Sequence, residues 1–334
     1  MFAWLVMMRS NIVSVLLGGF ALALWPLATG SFGVDLVAKT MIYAIVALSL
    51  ELLVGATGLV CFGQAAFFGL AGYAAVKLSP EGAAASLWWL LPVAMAVGAA
   101  YALFMGALSL RTRGVYFIMV TLAFAQMAYY VVHDTPLGGG TDGIYLYVKP
   151  VAAIGSTLLI DLDRPLALYY FVFGCLVAVF GFLALLGRSR FGRALAGIRV
   201  NEQRMRATGF STYPYKLAAF VVSGAIAGLA GFLFAVKDGF VNPELLSWHL
   251  SGAVLIMIIL GGIGHLRGAV IGAFAFALLQ EFFKSETIFG GFAKHWLLGL
   301  GLAIIVSVAL LPRGLIGAGS LLTHRLTRTP RVEA

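Results

Sequence analysis

Ten separate stretches of this 334-residue chain are apolar and long enough to be read as membrane crossings. A spanning helix needs about 20 mostly apolar residues. The candidates fall at 11–29, 35–54, 58–76, 86–110, 114–132, 165–187, 216–236, 250–264, 268–283 and 295–312. The fold class expected is therefore all-α, a polytopic membrane protein with about ten transmembrane helices. Composition agrees: 62% of residues are hydrophobic and 10% charged, against about 45–50% and about 25% in soluble domains. Lipid solvates an apolar exterior that water would not tolerate. The 41 glycines suit helices that approach closely without a hydrophobic force between them. Cys61 and Cys175 both lie in apolar runs and read as small hydrophobes, not as a disulfide or metal pair.

An even number of spans puts both termini on one side, and Lys and Arg select the side. With cytoplasmic termini, fifteen of the 22 Lys and Arg are cytoplasmic, while ten of the 13 acidic residues lie outside. The net charge of +9 is then mainly a topology signal, and nucleic acid is not an expected partner. The basic tail at 318–334 is expected to be cytoplasmic and to meet anionic lipid headgroups. Arg9 precedes the first apolar run as in a signal peptide, but no small-residue cleavage site follows, so that span is expected to be retained.

Chemistry of its own is not expected of the chain. It has no G-x-x-x-x-G-K-[ST], H-E-x-x-H, C-x-x-C or G-x-S-x-G. The G-x-G-x-x-G at Gly138–Gly143 follows no strand and opens no nucleotide-binding unit. Neither a cofactor nor a metal site is expected.

Several polar features stand out against this background. The segment 188–216 is rich in arginine and reads as a short helix and a turn at Gly209 leading into the next span. Arg193, Ile198, Arg199, Glu202, Met205 and Arg206 fit amphipathic faces, and Arg193, Arg204 and Arg206 offer planar forks to acidic groups. The segment is either a docking helix or a solvated loop. Gln64, among glycines and aromatics at 55–73, either lines a cavity beside a broken helix or bonds a neighbouring helix. Gln126, Tyr130 and His133 share a helical face, as a path lining or an interfacial belt. Thr141 and Asp142 sit in a glycine turn of the outer loop 134–164, a solute mouth or a plain turn. Glu51 is the only carboxylate well inside a span, and pairing suits it better than proton coupling. Gly261 to Gly268 form a tight turn carrying His265 and Arg267.

Taken in order, these segments resemble the M-type membrane permeases of branched-chain amino acid ABC importers. The matching stretches are GLVCFGQAAFFGLAGYAA at 58–75, RTRGVYFIMVTLAFAQM at 111–127 and GGTDGI at 139–144. They continue with GRALAGIRVNEQRMRATGFSTYPYK from 192, ILGGIGHLRGAVIGA at 259–273 and LPRGLIG at 311–317. The resemblance implies one permease domain over 1–334 in the bacterial inner membrane. It also implies a periplasmic loop at 134–164 and a cytoplasmic coupling loop at 188–215. Implied partners are a second homologous permease, two cytosolic ATP-binding subunits and a periplasmic solute-binding protein. Arg193, Ile198, Arg199, Glu202, Arg204 and Gly209 would then couple to the ATPases. Gln64, Phe67, Phe68, Gln126 and Tyr130 would border the translocation path, with Thr141 and Asp142 at its periplasmic mouth. The competing expectations are a self-sufficient secondary carrier and a facilitative channel for a small solute such as urea or an amide.

Overall fold

The computed structural model describes residues 18–80, 82–154, 157–311 and 314–317. The tail at 318–334 and the start of the first expected span lie outside them.

The chain is a bundle of helices: α1 (Gly18–Ala28), α2 (Ser31–Glu51), α3 (Gln64–Lys77), α4 (Leu87–Ser109), α5 (Val115–Asp134) and α6 (Pro165–Arg188). Two short helices follow, α7 (Arg190–Val200) and α8 (Glu202–Ala207). Then come α9 (Thr212–Asp238), α10 (Trp248–Gly261), α11 (Leu266–Lys284), the single turn α12 (Glu286–Phe289) and α13 (Trp296–Leu310). Seven of the described helices are long and apolar enough to cross a membrane, and α1 and α10 are shorter apolar helices. This is an all-α polytopic membrane protein. Most expected spans match within a few residues.

Layering follows from which helices are apolar all round and which have a lipid side. The central helices α2 and α9 are mostly buried, whereas most positions of α5, α6, α11 and α13 are only partly buried or exposed. Inside, aromatic rings interlock edge-on: Phe67 meets Phe220 at 5.7 Å and Phe68 meets Phe234 at 5.4 Å. Glycines set the closest crossings. A Cβ on Gly224 of α9 would strike the Gly98 carbonyl and Ala102 on α4, and one on Gly231 would strike the Phe68 carbonyl on α3. Such contacts supply the dispersion that holds membrane helices together.

The third expected span is shorter than its apolar run. After a π-helical turn at Leu52–Thr57, Gly58 takes φ +76° and the chain leaves the helix. Residues 58–63 are irregular, and α3 starts only at Gln64. Hydroxyls compensate the broken ladder. Thr121 of α5 accepts the Phe62 amide at 3.2 Å, and Ser251 of α10 donates to the Phe62 carbonyl at 2.8 Å while accepting the Ala65 amide at 3.1 Å.

The loop at 134–164 contains strands that no sequence signal had marked. β2 (Val151–Ile154) and β3 (Thr157–Asp161) form a hairpin. β1 (Ile144–Tyr145) pairs with β4 (Phe240–Val241), register Ile144↔Val241, which fastens the loop to the end of α9. The hairpin marks one end of the bundle, and α7 and α8 mark the other.

Candidate functional site

At the arginine-bearing end, local capping builds a compact unit. Ser189 caps α7 by accepting the Gly192 amide at 3.2 Å, and Asn201 caps α8 by accepting the Arg204 amide at 2.9 Å. Leu195 and Ile198 are buried and press α7 onto the bundle. Past the end of α8, Gly209 takes φ +86°. Its amide bonds the Arg206 carbonyl and the Phe210 amide bonds the Met205 carbonyl, the paired bonds of a Schellman stop that favours glycine.

Glu202 holds this unit to α9. Its Oε1 accepts from Arg206 Nη2 at 2.6 Å, Lys216 Nζ at 2.9 Å and Thr212 Oγ1 at 2.9 Å. Burial alone raises the Glu202 carboxyl. The bonds from Lys216 and Thr212, the Lys216 charge and the Arg206 bond outweigh it and hold the group near 2. Arg206, a candidate for meeting acidic groups on a partner, is thus engaged within the chain. Arg193 and Arg204 are exposed, and neither forms an ion pair among the described residues. Arg199 points the other way and donates to the Gly55 carbonyl in the π-helical turn after α2.

The residues marked along the membrane path separate into two places. Gln64, Phe67 and Phe68 are fully buried in α3 against α9. Gln64 Nε2 donates to Ser223 Oγ at 2.8 Å, and that hydroxyl donates to the Ser49 carbonyl at 2.7 Å. Gln64 Oε1 is buried without a hydrogen-bond partner among the described residues. Ser223 lies eleven residues into α9, roughly 16 Å along its axis, so the broken end of α3 sits near mid-depth. Gln126 is half-buried and Tyr130 exposed, both on α5, with Tyr130 edge-on to Tyr129 at 5.2 Å. Although α3 and α5 pack together through Ala66 and Ala125, no hydrogen bond or ring contact joins Gln64, Phe67 or Phe68 to Gln126 or Tyr130 among the described residues.

At the hairpin end, Thr141 and Asp142 are exposed in a tight turn, their side chains 3.3 Å apart. Sequence reading missed an ionic knot nearby. Lys237 bonds Asp35 and Asp238, each at 2.8 Å, and ties α2 to α9. The neighbouring Lys237-Asp238 pair is visible in the sequence, but Asp35 is about two hundred positions away. Among the described residues, no group of three or more His, Cys, Asp or Glu is placed to hold a metal.

A helical membrane bundle broken at mid-depth, with a folded basic loop at one end, is the architecture of a membrane transport subunit. Comparison makes the class specific. Residues 33–310 match the family described as the permease component of branched-chain amino acid transport systems, and the chain belongs to that family. It is 30% identical over 311 residues to the high-affinity branched-chain amino acid transport system permease protein LivM of Salmonella typhimurium, covering 87% of this chain and 72% of the relative. The Escherichia coli LivM matches to the same extent. A shorter match, 33% identical over 144 residues, covers 40% of this chain and 42% of the autoinducer 2 import system permease protein LsrC of Escherichia coli. No solved structure gives a significant match.

Proposed function

We propose that the chain carries branched-chain or related amino acids across the bacterial inner membrane, as one of two homologous permeases in an ATP-driven importer. The observation that carries this reading is the family match, which runs from α2 to α13. In this scheme two cytosolic ATP-binding subunits dock on α7 and α8, and a periplasmic solute-binding protein meets the hairpin end. Both termini are cytoplasmic, with ten spans, the short α1, α3 and α10 among them. The fifteen-to-seven bias of Lys and Arg supports that orientation.

The site residues take roles within it. Arg193 and Arg204 are free to meet acidic groups on the ATPases. Ile198 seats α7, Glu202 and Gly209 fix the shape of the loop, and Arg199 leads inward. Gln64, with its unpaired carbonyl, lies near the mid-depth break, where transporters place solute. Phe67 and Phe68 back it, Gln126 and Tyr130 line the α5 side, and Thr141 and Asp142 stand at the mouth.

The test is affinity purification of the tagged chain from native membranes in mild detergent, with mass spectrometry of what accompanies it. Stoichiometric ATP-binding subunits and a second permease are expected, together with ATP-dependent leucine uptake by the reconstituted complex. Recovery of the chain alone, active in ion-driven or downhill flux, would overturn the reading in favour of a carrier or channel.

A further inference from the structure

Glu51 belongs to none of the roles above, yet its surroundings are unusual. It is the last residue of α2 and 3% exposed. Its Oε1 accepts the amide of Gly264, in the turn between α10 and α11, at 2.6 Å. Among the described residues its Oε2 makes no hydrogen bond of ordinary geometry, although the His265 amide of the same turn also approaches the carboxylate. The carboxylate lies against Gly55, one turn further on, where any Cβ would collide with it. The carbonyl of that same Gly55 holds Arg199, from the last turn of α7. The Arg199 guanidinium therefore lies close enough for its charge to act on Glu51, but its hydrogen bond goes to the carbonyl.

A buried carboxylate with one oxygen unpaired is costly. Arginine's planar fork suits a carboxylate better than a single carbonyl. The observed arrangement therefore leaves the better acceptor vacant beside its natural donor. Glu51 is bonded to the α10–α11 turn, so a pull on it reaches two further helices.

We propose that Glu51 is a positioning residue of the transport cycle: Arg199 exchanges the Gly55 carbonyl for the free oxygen of Glu51 as α7 moves, and Glu51 passes that movement to α10 and α11 through Gly264. This rests on the reading of α7 as the ATPase docking helix.

The test uses the full importer in proteoliposomes, measuring radiolabelled leucine imported per ATP hydrolysed. Glu51→Gln keeps the side chain's size and one acceptor oxygen. It is expected to lower that ratio about tenfold, within the range of allosteric couplings, while hydrolysis continues. Arg199→Gln is expected to do the same, and the double variant to be no worse than either, because both remove one link. A wild-type ratio in either single variant, or effects that multiply in the double, overturns the proposal. Should Glu51→Gln fail to assemble, Arg199→Gln on its exposed side chain decides alone by the same ratio. Arg193→Glu with Arg204→Glu separates the underlying reading: if that variant retains its ATPases and imports normally, the docking assignment fails whatever Glu51 does. If it loses import while Glu51→Gln does not, only the Glu51 link fails.

Discussion

Single residues decide how the arginine-bearing loop is held. Glu202 concentrates three donors on one oxygen, and its carboxyl is held near 2 against an ordinary 4.5. Because the folded value is depressed, the stabilisation is present above about 4.5 and is lost as pH falls through about 2. The loop should therefore keep its shape throughout the physiological range. Glu202→Gln should mimic the acid form at pH 7, removing about 2 kcal/mol of charge-assisted bonding. Limited proteolysis of membranes checks this: cleavage between 201 and 212 should quicken in the variant and stay slow in the parent from pH 8 to pH 5. Equal cleavage in both would show that Leu195 and Ile198 alone seat the loop. Sequence reading marked Glu51 and Gln64 as exceptional, because carboxylates and amides are scarce in the expected spans. It did not find their partners. Gln64 bonds Ser223 across 159 positions and Glu51 bonds Gly264 across 213, and no local pattern encodes which helices will touch.

Helices were legible where the apolar run and the element coincide. The runs at 86–110 and 165–187 lie within two residues of α4 and α6. The run at 58–76 failed that test because hydropathy measures side chains, whereas the break is a backbone event made affordable by two hydroxyls. Removing one should reopen it. Ser251→Ala leaves the Phe62 carbonyl and the Ala65 amide without their partner, at a cost of about 1–3 kcal/mol. Cys61, buried in the middle of the break, reports the result: a membrane-permeant maleimide should label it several-fold faster in the variant than in the parent. Unchanged labelling would mean that Thr121 pins the segment unaided. Packing between elements makes a second test. Gly224→Ala forces a methyl into the Gly98 carbonyl, whereas a Cβ at Gly252 of α10 meets nothing within 4 Å. Overpacking costs about 1–3 kcal/mol, so the detergent-solubilised complex should unfold at lower temperature in the first variant and at the parental temperature in the second. Matching midpoints would show that α4 and α9 can slide apart freely.

For the whole molecule, hydropathy made the membrane class legible and charge supplied an expected orientation, but neither marked the hairpin at one end. The strands β2 and β3 follow apolar residues in a loop too short to span, and only their pairing, with the tie of β1 to β4, distinguishes them from a disordered connection. The two ends of the bundle then make opposite demands on solvent. The arginine-bearing end carries Arg193 and Arg204, which form no ion pair among the described residues, while the opposite end carries Asp142 in a tight turn and the Lys237 knot with Asp35 and Asp238. Positive charge is retained on the cytoplasmic side of bacterial membranes, so Arg204 should face the cytoplasm and Asp142 the periplasm. Single cysteines at the two positions test this against the parent, whose Cys175 lies in the apolar α6 and whose Cys61 is buried. In intact spheroplasts a membrane-impermeant maleimide should label Asp142→Cys and leave Arg204→Cys unlabelled until the membrane is permeabilised. The reverse pattern would invert the molecule, placing the proposed ATPase docking surface outside the cell, where no ATP is supplied. The importer reading would then fail as a whole, independently of any single residue within it.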